Sequence, residues 1–430
     1  MCLAWLTRVT PSALKRTLTK GKTDMRIVLV HNTYRLAGGE DVVFPSEKRL
    51  LERAGHTVIP YVRSNTELND TSLVDRVGIA SRMIWSQQAR QSFAAVLDAE
   101  CPDIVHVHNT FMVISPSIYS ACSERGIPVV QTLHNFRLLC PATSFSRDGI
   151  VCEECVDKSL FRSILHSCYR NSRAATGAVA LMLATHRALG TWQASVTRYI
   201  ALTAFAKKKF VAAGFPSEKF VVKPNFADPD PGERLATGEY ALFIGRIDKT
   251  KGTRVLLDAW KGLPVNYPLH VVGDGPDRQW MEARSRELQL SEVTFRGRLS
   301  HAEAVEAVKS ARFTIVPSTW YEGFPMCIVE SFACGTPVLC SRLGGMSEIV
   351  DDQLTGLHFN PSDPQDLAKK VQWAWNHPLE LARMGRVARR KYETDYTAEK
   401  NYSLLMEIYE QAIAACASPS LAVTRARHLA

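Results

Sequence analysis

The chain has 430 residues, 46% hydrophobic and 22% charged, with 52 Lys and Arg against 43 Asp and Glu. That length implies two or three domains, and the composition is that of a globular chain, which excludes disordered and collagen-like classes. No apolar run reaches the roughly 20 residues a membrane helix needs. Eleven cysteines are too dilute for a disulfide scaffold, which together with the lack of an evident signal peptide favours a reducing, cytoplasmic compartment.

Residues 1–24 carry Arg8, Lys15, Arg16, Lys20 and Lys22 against one acid, Asp24. A signal peptide places its charges before its apolar core, and here Cys2 to Leu6 come first. The segment reads as a basic arm, or as sequence ahead of a true start at Met25. Apolar strands follow at 25–31, 57–62, 104–108 and 129–134, with a helix at 42–54 between the first two. Strands alternating with helices predict a parallel, doubly wound sheet whose ligands sit beyond the carboxyl ends of its strands. His31, Gly39, His108 and His134 fall at such ends. The three histidines admit a zinc reading, though they come from separate strands with no short ligand spacing. They also admit a substrate-contact reading, with Gly38 and Gly39 letting the backbone approach phosphates. His106, inside its strand, reads as a core residue.

Cys140, Cys152, Cys155 and Cys168 form C-x11-C-x2-C-x12-C, with His166 nearby. Four thiolates satisfy a tetrahedral zinc and leave no open position, so such an ion is structural. A loop of reduced cysteines and a redox pair fit the same spacing. Residues 158–217 then hold nine Lys and Arg and no acid, which equals the net charge of +9 for the whole chain. Within them, 174–185 is uncharged and largely apolar. Such a basic, apolar surface suits an anionic membrane face or a lipid-phosphate acceptor, or it is a solvated helix face packed on the core. No aromatic-interleaved basic motif points to nucleic acid. In the linker beyond, Asp228 and Asp230 spell D-P-D, a pair that suits a divalent cation but lies among Pro229, Pro231 and Gly232.

The second half repeats the alternation. A strand at 239–247 runs through Arg246, and Lys251 and Gly252 open a helix. The strand at 269–273 exits through Gly-Asp-Gly-Pro, which lacks the third glycine of a dinucleotide fingerprint. After the strand at 293–297, Ser300 and Glu303 make a capping box. A strand at 313–317, a loop holding Glu322, and a helix at 326–334 come next, with Pro325 at the first helical position and Gly335 closing it. Glu330 lies one to two turns inside that helix, roughly 8 to 12 Å beyond Glu322. This gap suits the two ends of a nucleotide sugar, with its pyrophosphate at the helix N-terminus. Arg246 forks onto phosphate oxygens and Lys251 supplies a point charge, which together neutralise a leaving diphosphate with no metal ion. Gly344 and Gly345 precede Ser347 and Glu348, a further helix start beside the donor.

The E-x7-E of Glu322 and Glu330, the G-R-x4-K of Gly245 to Lys251, the V-V-G-D-G-P of Val271 to Pro276 and the P-S-x3-E-G-F of Pro317 to Phe324 resemble the group 1, or family 4, retaining glycosyltransferases of GT-B fold. The resemblance implies an α/β architecture of two Rossmann-like, doubly wound domains facing a donor cleft. It divides the chain into a first domain at 25–203 with a Cys-rich insertion at 140–168, a hinge at 204–238, a nucleotide-sugar domain at 239–385, a helix at 386–415 crossing back to the first domain, and a tail at 416–430. It implies that Glu322 contacts the donor sugar, Glu330 the ribose hydroxyls, Arg246 and Lys251 the diphosphate, and His134 the transferred sugar or acceptor. Gly38, Gly39, Gly323, Phe324 and Met326 then line the donor site, and the base lies near Gly273 and the Arg298 to Leu299 turn. The expected activity is transfer from a UDP- or GDP-linked sugar to a saccharide or lipid-linked acceptor in surface polysaccharide assembly, with retention, no catalytic cofactor, and a peripheral place on the inner membrane face. A nucleotide-sugar epimerase and a non-catalytic nucleotide-sugar-binding scaffold are the competing classes.

Overall fold

A computed structural model of the chain describes residues 24–417 apart from 36–37, 69–71 and 265. The basic arm, save Asp24, and most of the tail lie outside the described residues. Two six-stranded sheets carry the fold. The first runs Thr57–Ser64, Arg26–Thr33, Ile104–Val107, Val129–Leu133, Arg198–Ala201 and Phe220–Val222 in spatial order. The second runs Val293–Gly297, Leu269–Val272, Tyr240–Ile244, Ala311–Val316, Val338–Ser341 and Gly356–Phe359. Every pairing in both is parallel. Parallel sheets are covered by helices on both faces, which is why the central strands Ile104–Val107 and Val129–Leu133 are buried at every position.

The sheets place the site. In the first, Arg26–Thr33 has its sequence neighbour on one side and Ile104–Val107 on the other, so the chain reverses its winding there. In the second, the same reversal falls between Tyr240–Ile244 and Ala311–Val316. A crevice opens beyond the carboxyl ends of strands at such a point. His31, Asn109 and Gly39 therefore border the first crevice, and Arg246, Ser318 and Glu322 the second.

Two expected boundaries are corrected. The helix Ala204–Ala212 and the strand Phe220–Val222 belong to the first domain, because that strand pairs with Arg198–Ala201. The crossing to the second domain therefore begins after 222 rather than at 204. The helix Pro378–Asp395 packs in the second domain, where Ala388 and Tyr392 meet Ile328 and Phe332. The crossing back is made by Ala398–Ala417, whose Leu405, Ile408, Tyr409 and Ala412 pack on Met25, Ile27, Leu29 and Ile200 of the first domain. Each of the larger of these side chains contributes about 2 kcal/mol by burial, so this helix helps to tie the domains together.

Candidate active site

The donor half is built on backbone turns. Gly273 has φ +136°, and a Cβ there would stand 1.9 Å from the Gly245 carbonyl oxygen, so only glycine lets the two strand exits lie side by side. Beyond Gly245, Asp248 caps the short turn Lys249–Lys251, accepting from the Thr250 N–H at 2.9 Å and from the Arg246 Nε–H. Arg246 is thus half exposed and held by Asp248. Asp248 is itself buried; this raises its pKa, but the Thr250 hydrogen bond and the Arg246 charge outweigh the effect and hold the carboxyl below its usual range.

Glu322 is 5% exposed and fully engaged. It accepts from Ser318 Oγ at 2.5 Å, from Trp320 Nε1 at 2.8 Å, and from Lys251 Nζ at 2.8 and 3.0 Å. Burial pulls the Lys251 ammonium down, and the charge and hydrogen bonds of Glu322 more than reverse it, so the net shift is upward. Glu330 sits on the helix Met326–Ala333 and its carboxylate has no hydrogen bond among the described residues. Burial raises its pKa, which fits a group that awaits polar partners. Pro325 is the N-cap of that helix and Met326 its first residue, one position later than the sequence reading, while Gly335 closes it at φ +69° as expected. Phe324 packs its ring against Tyr396, with centres 6.1 Å apart, between the two cores. Arg298 is exposed in the turn after Val293–Gly297, and Leu299 packs beside Tyr240 and Ile244.

The acceptor-side half is polar and buried. A cavity of about 40 Å³ is lined by His108, Asn109, His134, Asn135 and Arg137 among others. Gly38 caps the helix Gly39–Arg53, but its N–H donates to Asp41 Oδ2 at 2.7 Å, so one of the amides expected to meet phosphate is already taken. Two positions on, Glu40 is buried, and this pushes its pKa up to about 7, even though a Tyr34 hydrogen bond opposes the rise. The halves meet directly. A Cβ on Gly323 would lie 2.1 Å from the His134 carbonyl oxygen. Glu348 caps the helix Ala204–Ala212 from across the cleft, accepting from the Ala204 and Phe205 amides at 2.6 and 2.8 Å. The Tyr321 hydroxyl donates to Glu153 of the Cys-rich insertion at 2.9 Å.

The proposed metal sets fare differently. His31 bonds Asp41 at 2.9 Å and does not join His108 and His134. Asp228 pairs with Arg53 and Asp230 with Arg389, so the D-P-D residues are structural ion pairs. Among the described residues, the group spaced for a cation is Glu47, His106 and His108. The Lys223 ammonium, 3.1 Å from Glu47, already supplies that positive charge. The four cysteines of the insertion gather around one place. Cys155 is pushed up to about 12 by burial and by the other three thiols, and Cys168 to about 11. The donor set suits zinc, but the sulfurs stand wider than the ligands of one ion do.

Sequence reasoning missed Glu40, Glu47 and Lys223. A signal for the first two was present: the buried face of Gly39–Arg53 is Glu40, Val43, Phe44, Glu47, Leu50 and Leu51, so both acids sit on the apolar stripe where a surface acid would not be placed. Lys223 has no such local signal, since its partner is 176 residues away.

Comparison with solved structures gives the class first. The chain is similar to HepE of Anabaena, crystallised with UDP and glucose, at a TM-score of 0.61 and 17% identity, covering 89% of this chain and 98% of that one. It is also similar to sucrose-phosphate synthase of Thermosynechococcus elongatus, at a TM-score of 0.66 and 18% identity, over 91% and 100%. The architecture is GT-B. The family model for glycosyl transferases group 1 matches residues 228–391 and that for glycosyltransferase family 4 matches 37–231, and the chain belongs to the group 1, family 4 glycosyltransferases. Curated relatives include D-rhamnosyltransferase WbpZ of Pseudomonas aeruginosa, 33% identical over 37% of this chain and 42% of its own length. Another is O-antigen chain mannosyltransferase C of Escherichia coli, 26% identical over 50% and 59%. The chain thus spans about half the length of the curated relatives it matches. No described helix is long and apolar enough to cross a membrane.

Proposed function

We propose that this glycosyltransferase moves a sugar from a UDP- or GDP-linked donor to a saccharide or lipid-linked acceptor in the assembly of a surface polysaccharide, with retention and without a catalytic metal. The observation that carries it is the paired arrangement of Lys251 on Glu322 beside the half-exposed guanidinium of Arg246 and the unpartnered Glu330. Two cations and a helix N-terminus meet a diphosphate, Glu322 orients the sugar, and Glu330 takes the ribose hydroxyls. The leaving phosphate then serves as the base for the incoming acceptor hydroxyl. The polysaccharide setting draws support from the O-antigen relative. Product stereochemistry with a matched donor and acceptor is the test; inversion refutes retention, and turnover of donor alone without acceptor would favour the epimerase.

The peripheral membrane reading is supported by a basic, apolar face of the first domain. Phe161, Leu165, Leu181 and Leu189 are exposed there beside exposed Arg162, Arg170 and Arg173. Such a face suits an anionic bilayer. Sedimentation with anionic but not neutral vesicles at low salt is expected, and equal binding to both, or to neither, removes the reading. A structural zinc on Cys140, Cys152, Cys155 and Cys168 is supported by the thiol donor set, and requires the insertion to draw its sulfurs together.

A further inference from the structure

A line of titratable side chains runs from the interior of the first domain to the cleft. Glu47, 1% exposed, places Oε1 3.1 Å from His106 Nδ1 and 3.4 Å from His108 Nε2. His108 Nδ1 lies 2.9 Å from His134 Nε2. The two rings are nearly coplanar, at 19° with centres 5.1 Å apart, so they meet edge to edge with the shared hydrogen in line between the nitrogens. The other oxygen of Glu47 receives Lys223 Nζ at 3.1 Å, and Lys223 also donates to Asn401 Oδ1 at 3.0 Å. His106 is engaged on both sides, by Tyr409 at 2.7 Å and Thr132 at 2.8 Å.

The direction of the hydrogens follows from these partners. Glu47 Oε1 and His108 Nε2 face each other at 3.4 Å, with no hydrogen-bond partner for either atom among the described residues. A carboxylate oxygen repels a bare ring lone pair and attracts an N–H, so the hydrogen of His108 is on Nε2, whereas His106 gives its Nδ1 to Tyr409. Burial and the neighbouring His106 push its pKa down to about 4, so it is neutral and its Nδ1 is a bare lone pair. That lone pair needs a donor, and the nitrogen facing it is His134 Nε2. Burial holds His134 neutral as well, which leaves His134 Nδ1 unprotonated. Lys223 sets this direction: its charge compensates Glu47, which otherwise would draw a proton onto His108 and reverse the relay.

We propose that Glu47 and His108 are positioning residues that fix His134 in the Nδ1-unprotonated tautomer, so that it accepts a hydrogen bond from a sugar hydroxyl in the cleft. The inference deepens the glycosyltransferase reading and rests on it only for the identity of that hydroxyl. It explains why two histidines two residues apart, His106 and His108, face the same acid: the strand alternation puts both on one side, and only the second reaches the cleft.

The test separates the relay from the activity. In the full chain labelled with 15N-histidine and free of ligand, long-range proton–nitrogen correlation spectra, assigned by loss of signals in His134→Asn, report the tautomer of His134 directly. The expected result at neutral pH is hydrogen on Nε2 and none on Nδ1; hydrogen on Nδ1, or a charged ring, overturns the proposal whether or not the chain transfers sugar. In Glu47→Gln, Lys223 keeps the amide oxygen and the amide NH2 turns to His108, so the relay reverses and His134 gains hydrogen on Nδ1. A folded variant with the wild-type tautomer overturns the role of Glu47. The same variant weakens binding of the nucleotide sugar about tenfold and leaves the bare nucleoside diphosphate unchanged if the hydroxyl is on the donor, or raises the acceptor KM about tenfold if it is on the acceptor. With all three constants unchanged, a role at the substrate is refuted.

Discussion

Lys251 Nζ stands 2.8 and 3.0 Å from the two oxygens of Glu322, so the cation proposed for the diphosphate and the carboxylate proposed for the sugar neutralise each other. On the proposed roles, donor binding exchanges that partnership, giving Lys251 to phosphate and Glu322 to hydroxyls. The pair thus keeps a nearly buried carboxylate compensated until a ligand arrives that can replace both sides at once.

It follows that the two single variants act oppositely on a bare nucleoside diphosphate. Glu322→Gln releases Lys251, so binding of UDP or GDP without sugar holds or tightens by a few-fold while sugar transfer falls by about a hundredfold or more. Lys251→Ala removes the ammonium and weakens the same ligand by about ten- to a hundredfold. It also destabilises the ligand-free fold by about 3 kcal/mol, because Glu322 is left buried and unpaired. Calorimetric titration with each nucleotide, alongside thermal unfolding of both variants, checks this; parallel loss of nucleotide binding in both would refute the exchange.

Gly323 is held against His134 across the domain boundary, where a Cβ would lie 2.1 Å from a backbone oxygen that has no side-chain freedom to yield. Gly323→Ala must push the domains apart. The expected outcome is a fold of unchanged thermal stability, donor affinity within a few-fold of wild type, and kcat reduced by about tenfold or more, because a misplacement of this size spoils the near-attack geometry. Small-angle scattering with donor bound should show a more open particle than wild type. A variant with normal kcat and the wild-type scattering profile would show that the domains do not need this closeness.

Much of the donor half was legible in the sequence, because its signals are local. Gly273 follows a strand, and Glu322 and Glu330 bracket a loop-to-helix turn whose Gly335 stop reads at face value. The acceptor half was legible only as far as strand ends reach. His134 and His108 could be placed at a sheet edge, but their hydrogen bond links residues from two strands, and Glu47 joins them from a helix. The packing of Phe324 was hidden for a related reason, since Tyr396, which meets its ring, lies 72 positions on. Long-range pairs such as Lys223 with Glu47 have no periodicity to betray them, and the hinge boundary slipped because strand pairing, not composition, decides where a domain stops.

Glu40 makes stability depend on pH. Its pKa is raised from 4.5 to about 7 by burial, with Asp41 adding to the rise. An acid whose folded value lies above its unfolded value binds more protons in the folded state, so its contribution is fully present below about pH 4.5 and is lost as pH rises through 7. The size is at most about 3 kcal/mol. Glu40→Gln is neutral at every pH and should lack this decline. Denaturant unfolding from pH 4.5 to 8 is expected to show wild type losing stability relative to the variant across that window; a constant difference would mean that Glu40 is ionised throughout.

The cysteine insertion is joined to the Glu322 loop through Glu153, which accepts from both the Tyr321 hydroxyl at 2.9 Å and the Lys209 ammonium at 2.6 Å. Tyr321 immediately precedes Glu322, so the order of the insertion bears on the loop that carries this carboxylate. Cys155 and Cys168, whose ionisation is opposed by burial and by neighbouring thiols, gain from a divalent ion, since zinc converts that repulsion into coordination. Protein prepared without chelator is expected to hold one zinc per chain by elemental analysis, and Cys155→Ser to lose it. Stripping the metal should then speed proteolysis within 140–168 and lower kcat several-fold, with the affinity for nucleoside diphosphate kept, because Lys251 and Arg246 stand on the other domain. Less than a trace of zinc in unchelated protein would leave the insertion a reduced-thiol loop, held to Tyr321 by Glu153 and by the edge contact of the Phe145 ring.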